Sequence, residues 1–216
     1  MGAPQENARL ALFGGSFNPP HLGHRALLEA YHRRHPAHQV LLVPCRQPPH
    51  KAFEKSVSDA HRLALSRLLV ADHDWVTVDE LELRREGPSY TFETLIELEA
   101  RFRPQLPIHL LIGDDLVESL PTWKAYPNLC ARVQWVCFTR RGLTDSEHHR
   151  IGAALEKALP GGHPFRLEWI AMPPVAMASS EIRKALAARA PGARGNFLPE
   201  QWAYLAKNRL YGAMLE

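Results

Sequence analysis

The sequence is poor in cysteine, with only Cys45, Cys130 and Cys137. None of them forms a CxxC pair and the count is odd, which makes a poor disulfide framework; they read as reduced thiols in a reducing compartment. Long hydrophobic runs are missing too. No stretch nears the roughly 18 apolar residues that span a bilayer. The start, MGAPQENARLALFGG, has no basic region and no apolar core of a signal peptide. The expectation is a cytoplasmic protein with no membrane partner. Dense Lys/Arg tracts are also absent. A net charge of +3 and a pI near 8.9 fall well short of a dedicated nucleic-acid binder. No nucleic-acid partner is expected, whereas mild basicity suits small anionic ligands such as nucleotides.

What is present is an ordinary globular composition. The 216 residues are 45% apolar and 23% charged, enough for one sizeable α/β domain with or without a small appendage. Short apolar runs at 9–13, 39–43, 108–112 and 133–138 read as buried strands, joined by shorter ones at 75–78 and 166–170. Between them, helical spacing recurs at 22–35, 59–71, 91–102, 146–159 and 180–188, with a last amphipathic segment at 200–210. Strands alternating with helices point to an α/β fold with a doubly wound parallel sheet. Such sheets bind ligands at the carboxyl ends of their strands, so residues just after strands are the ones to inspect. Residues 44–58 read as a surface loop and 190–197 as a connector.

The first strand leads into Gly14-Gly15-Ser16-Phe17-Asn18-Pro19-Pro20-His21-Leu22-Gly23-His24. The glycine pair is expected to end the strand in a tight turn, with unusual φ values and close approach of backbone to ligand. The helix starting near Leu22 offers free N–H groups and a positive dipole end, an anion site. His21 and His24, three apart, can face one side of it. The loop is neither a Walker A motif nor GxGxxG. Its His-x-x-His pair lacks the glutamate of HExxH and a nearby cysteine, which sets it apart from the common zinc patterns. The bland alternative is a turn with two surface histidines. Further on, Ser179-Ser180-Glu181-Ile182-Arg183 reads by itself as a serine-capped helix start with an acidic first turn.

GGSFNPPHLGH resembles the signature of nucleotidyltransferases that carry an HxGH motif, a motif shared by the much longer class I aminoacyl-tRNA synthetases. The resemblance implies a Rossmann-like fold in which Gly14, Gly15, Ser16 and Phe17 shape an ATP site and His21 and His24 contact its phosphates. It also implies Mg²⁺ travelling with the ATP, and direct attack by a substrate phosphate on the α-phosphate without a covalent intermediate. Such a nucleophile is already ionised, so positioning and charge neutralisation matter more than a base. Residues 178–183 are similar to that family's ISSTxIR element. Ser179 and Arg183 match it, Ser180 replaces its threonine, and Ala178 replaces a serine; the resemblance assigns the element to the β- and γ-phosphates.

Three more stretches resemble bacterial nicotinate-nucleotide adenylyltransferases. Ser89-Tyr90-Thr91 begins a segment like SYTxxTL, whose helix-start amides would bind the nicotinate carboxylate; an ordinary N-cap at Ser89 or Thr91 is the competing view. Gly113 and Asp115, followed by Trp123, match GxDxxxxxxxW, giving a ribose contact and a face for the pyridine ring. Pro48-Pro49-His50-Lys51 is similar to PPHK, with His50 and Lys51 toward the mononucleotide phosphate. The implied partners are ATP and nicotinate mononucleotide. The implied organisation is one nucleotidyltransferase domain over 1–216, with 179–216 as a C-terminal helical portion. Nicotinamide mononucleotide or phosphopantetheine as acceptor, or a sensor without catalysis, are the alternatives. The oligomeric state, a homo-oligomer included, stays open.

Overall fold

The six expected strands are all present in the computed structural model, which describes residues 4, 6–49, 57–139, 143–159, 165–172 and 178–214. They are β1 (Arg9–Gly15), β2 (Gln39–Pro44), β3 (Val76–Val78), β4 (Gln105–Gly113), β5 (Val133–Thr139) and β6 (Leu167–Ala171). The helices are α1 (Leu22–Arg34), α2 (Asp59–Leu69), α3 (Leu81–Arg84), α4 (Thr91–Phe102), α5 (Tyr126–Arg132), α6 (Asp145–Lys157), α7 (Ser179–Ala187) and α8 (Pro199–Lys207). The strands form one parallel sheet in the order β3-β2-β1-β4-β5-β6. The chain winds outward from β1 on one side and then restarts at β4 on the other. That reversal opens a crevice between the carboxyl ends of β1 and β4.

Strand residues alternate strictly between two cores. Leu10, Leu12, Leu110, Ile112, Trp135 and Cys137 face the core under α4, α5 and α6. Ala11, Phe13, Leu111, Val136 and Phe138 face the core under α1 and α2. Both faces are therefore covered, which explains why the strands read as continuous apolar runs. Truncating Leu28 or Leu95, both fully buried, to alanine costs about 2–5 kcal/mol through lost transfer energy and a cavity. A third cluster, including Ile182, Leu186, Phe197 and Leu205, gathers α7 and α8 against Leu65 of α2. Ala193 and Phe197 of the expected connector are buried in it.

At the amino ends of the strands, His35, His38 and His109 meet beside Tyr31 and Glu168. Burial, reinforced by the neighbouring histidines, lowers His38 to about 4 and His109 to about 3. Both rings are neutral at physiological pH. No helix among the described residues is long and apolar enough to cross a membrane.

Candidate active site

A cavity of about 450 Å³ opens in the crevice, a size suited to a small-molecule ligand. From β1 it is lined by Gly14 and Gly15, and from the following loop by Ser16 and Phe17. The strand does not stop before the glycines: β1 runs through Gly15. Neither glycine has a positive φ; the left-handed residue is Phe17, at φ 43°. The expected glycine turn is thus corrected, and proximity explains the glycines instead. A Cβ at Gly15 would sit 3.2 Å from the Phe17 ring, whereas one at Gly14 would meet no protein atom within 4 Å. The space over Gly14 is room for ligand.

His21 and His24 also line the cavity, and they cap α1 with each other. His21 is the N-cap, and its Nδ1 accepts the N–H of Gly23 at 3.1 Å. The Nδ1 of His24 accepts the N–H of His21 at 3.2 Å. A capping box is normally built from Ser or Thr and Glu; here two imidazoles build it. An accepting Nδ1 places the ring proton on Nε2. Each histidine therefore carries an Nε2–H donor while satisfying an N-terminal amide. The rings lie 3.9 Å apart, and Phe17 packs edge-on against His24 at 5.0 Å.

The loop between β1 and α1 is held by its own carbonyls. Arg62, fully buried in α2, donates to the carbonyls of Ser16 and Cys45 and pairs with Asp59 at 2.8 Å. Arg183 donates to Asn18 O at 2.7 Å, Ser179 to Pro19 O at 3.0 Å and Gln201 to Pro20 O at 3.4 Å. The hydroxyl of Tyr211 donates to Asn18 Oδ1 at 2.6 Å. Sequence reasoning missed Arg62. Its signal was its place on the buried stripe Arg62, Leu65, Ser66 and Leu69 of α2.

Ser179, Ser180 and Arg183 line the same cavity. The expected serine cap of α7 is corrected: the N-cap is Ala178, whose N–H is accepted by Glu181 Oε2 at 2.8 Å. The helix thus lacks a capping hydroxyl, and both serines stand in its first turn. Arg183 spends one guanidinium N–H on Asn18, out of five.

On the opposite wall lie Ser89, Tyr90, Thr91, Gly113, Asp115 and Trp123. The competing N-cap at Ser89 or Thr91 does not occur. Tyr90 is the N-cap of α4 and makes no side-chain cap bond. Ser89 is buried, and its Oγ accepts the N–H of Arg46 at 3.1 Å, so its hydroxyl is committed to holding the loop after β2. Asp115 is exposed, while its neighbour Asp114 is buried. Trp123 is half-buried, edge-on to Trp135 at 5.9 Å. Lys124, also missed, lines the cavity, sits 4.3 Å over the Tyr90 ring and pairs with Glu93 at 2.6 Å. Pro48 and Pro49 line the cavity as well; His50 and Lys51 lie outside the described residues.

A strand-loop-helix turn lined by two histidines, two serines and an arginine stands at the switch point of a parallel sheet, where such sheets bind their ligands. A cytidylyltransferase-like family profile matches residues 12–185, and the chain belongs to that family. Within it, the chain is 36% identical over 205 residues to a protein of Symbiobacterium thermophilum named "Probable nicotinate-nucleotide adenylyltransferase", covering 94% of this chain and 95% of that one. A protein of Hahella chejuensis with the same name is 31% identical over 222 residues, covering 97% and 99%. The chain thus falls among the nicotinate-nucleotide adenylyltransferases. The fold is shared with the Plasmodium falciparum nicotinic acid mononucleotide adenylyltransferase solved with NaAD. The TM-score is 0.75 at 19% identity, covering 98% of this chain and all of that one.

Proposed function

We propose that the chain transfers the AMP moiety of ATP to nicotinate mononucleotide, giving nicotinate adenine dinucleotide and pyrophosphate, a step of NAD biosynthesis. The observation that carries this is the pairing, across one cavity, of the doubly capped histidines with the uncapped start of α4. The first suits a phosphate chain. The second offers helix amides and a positive dipole end to a carboxylate.

In this reading the ATP phosphates bend over the start of α1. The Nε2–H groups of His21 and His24 donate to phosphate oxygens where charge grows in the transition state, a contribution of about 3–4 kcal/mol per donor. Arg183, with the hydroxyl of Ser180 and the backbone amide of Ser179, whose own hydroxyl goes to Pro19 O, grips the β- and γ-phosphates, the arginine in bidentate fashion. The backbone at Gly14 and Gly15 lets the nucleotide approach closely. Asp115 accepts from ribose hydroxyls, and Trp123 stacks on the pyridine ring. The amide of Thr91 at the start of α4 meets the nicotinate carboxylate beside Tyr90, whose own N–H goes to Pro88 O at 3.1 Å, and His50 and Lys51 serve the mononucleotide phosphate. The reaction is in-line displacement: the mononucleotide phosphate oxygen forms a bond to the α-phosphorus as the bond to pyrophosphate breaks.

Histidine, arginine, hydroxyl and amide donors line the cavity together with the carboxylates of Asp115 and Glu82. In this reading Mg²⁺ comes with the nucleotide, where it would neutralise phosphate charge.

The deciding experiment supplies Mg²⁺–ATP with nicotinate mononucleotide, nicotinamide mononucleotide or phosphopantetheine and reads product mass and pyrophosphate. Strong preference for the first is the expected result. Preference for another acceptor would refute the roles given to Tyr90, Thr91 and Trp123. No turnover with any would favour a nucleotide sensor.

A further inference from the structure

The three histidines at the amino ends of the strands are used by nothing in the chemistry above. His109 lies four residues before Gly113 on β4, about 13 Å from the cavity end of that strand. His35 closes α1 and His38 immediately precedes β2, so loop, helix end and strand converge there. One ring nitrogen from each lies within 4.8 Å of the other two. His35 stands at 86° to His109 and 78° to His38, while His38 and His109 lie 4.2 Å apart with their planes at 34°.

The outer contacts resemble those that orient metal-bound imidazoles. Nε2 of His35 lies 3.0 Å from Glu168 Oε2, and that carboxylate is held by Arg34 at 2.8 Å. Nδ1 of His109 lies 2.9 Å from the Tyr31 hydroxyl. With its proton on Nδ1 and donated to Tyr31, His109 presents the lone pair of Nε2. Nδ1 of His38 is buried and has no hydrogen-bond partner among the described residues. A purely packing role leaves that nitrogen unsatisfied at a cost of about 1–3 kcal/mol. Three imidazoles without a thiolate suit zinc and neighbouring divalent transition ions, not magnesium or calcium.

We propose that His35, His38 and His109 form a binding site for a zinc-class divalent metal ion, remote from the nucleotide cavity. Water completes the coordination, since the rings are only half-buried. Glu168 orients His35 and does not ligate. Zinc–nitrogen bonds of about 2.0–2.1 Å would set the nitrogens about 3.4 Å apart. The present nitrogens, within 4.8 Å of one another, would have to draw together to that spacing on binding. The ion would staple the end of α1 and the start of β2 to β4 and, through Glu168, to β6.

The test uses the full chain free of any affinity tag, stripped with chelator and titrated with Co²⁺ and then Zn²⁺. One equivalent of Co²⁺ should develop the strong visible bands of tetrahedral cobalt, and Zn²⁺ should displace it. His38→Ala and His109→Ala should each weaken binding by about 100-fold or more, while His149→Ala and His21→Ala should leave it unchanged. X-ray absorption of the zinc-loaded parent should count three imidazoles, a readout that does not depend on any variant folding. Absence of tetrahedral bands, binding lost in His21→Ala, or fewer than three imidazoles would overturn the proposal.

Discussion

Arg183 donates to the carbonyl of Asn18 at 2.7 Å, across 165 residues of chain. With Arg62, Ser179 and Gln201 it holds the carbonyls of Ser16, Asn18, Pro19 and Pro20. With its carbonyls tied in this way, the loop is fixed with His21 and His24 at the cavity wall. Rigidity of this kind holds catalytic donors in place before substrate arrives.

His24 has two separable tasks, and two variants divide them. His24→Asn keeps an acceptor for the His21 amide but loses the Nε2–H donor; His24→Ala loses both. Both should lower kcat by about 100- to 1,000-fold. Only the alanine variant should also lose about 1 kcal/mol of stability through the lost cap. Steady-state kinetics with urea denaturation would show this. An active His24→Asn enzyme would remove His24 from the phosphate site.

The two glycines of β1 should respond differently to alanine. In Gly15→Ala the methyl presses on Phe17, itself packed on His24, so both melting temperature and kcat should fall. In Gly14→Ala no protein atom is displaced. That variant should melt like the parent and show a raised KM for ATP.

Ala178→Ser supplies the missing cap of α7. The expected gain is about 0.5–1 kcal/mol in unfolding free energy, measured by denaturant titration. No gain would mean that the Glu181 contact to the Ala178 amide already satisfies the helix start.

Trp123→Ala should raise KM for the mononucleotide far more than KM for ATP. An equal rise in both would reduce Trp123 to a partner of Trp135.

Cys45 lines the cavity but is a poor target for alkylation. Burial, reinforced by the charge of Glu82, pushes its thiol up to about 12. At pH 8 only about one part in ten thousand is thiolate. Native protein should keep its activity through brief iodoacetamide treatment at pH 8, and all three cysteines should react once guanidinium unfolds it. Rapid loss of activity in the native state would contradict this burial.

The strands were legible because a sheet covered on both faces writes itself as unbroken apolar runs. The helix at 91–102 was legible from its spacing and coincides with α4. The four-residue α3 is too short to show a period. The start of α5 follows Ala125, left-handed at φ 58°, a position that glycine or asparagine would have advertised. Every candidate site residue within the described residues lines one cavity, because motifs placed just after strands are gathered by the strand order. What sequence could not show was the set of carbonyl grips, since each joins residues far apart in the chain. For the same reason the glycine pair read as a turn, when its meaning lay in the distance to Phe17.

The clasp on the first loop also has a meaning for how the protein is made. The last strand ends at Ala171, before Ser179, Arg183, Gln201 and Tyr211 have been added. A nascent chain can thus have all six strands and still lack four of the groups that hold the loop between β1 and α1. These four are a late addition to the chain, all of them residues that follow the sixth strand.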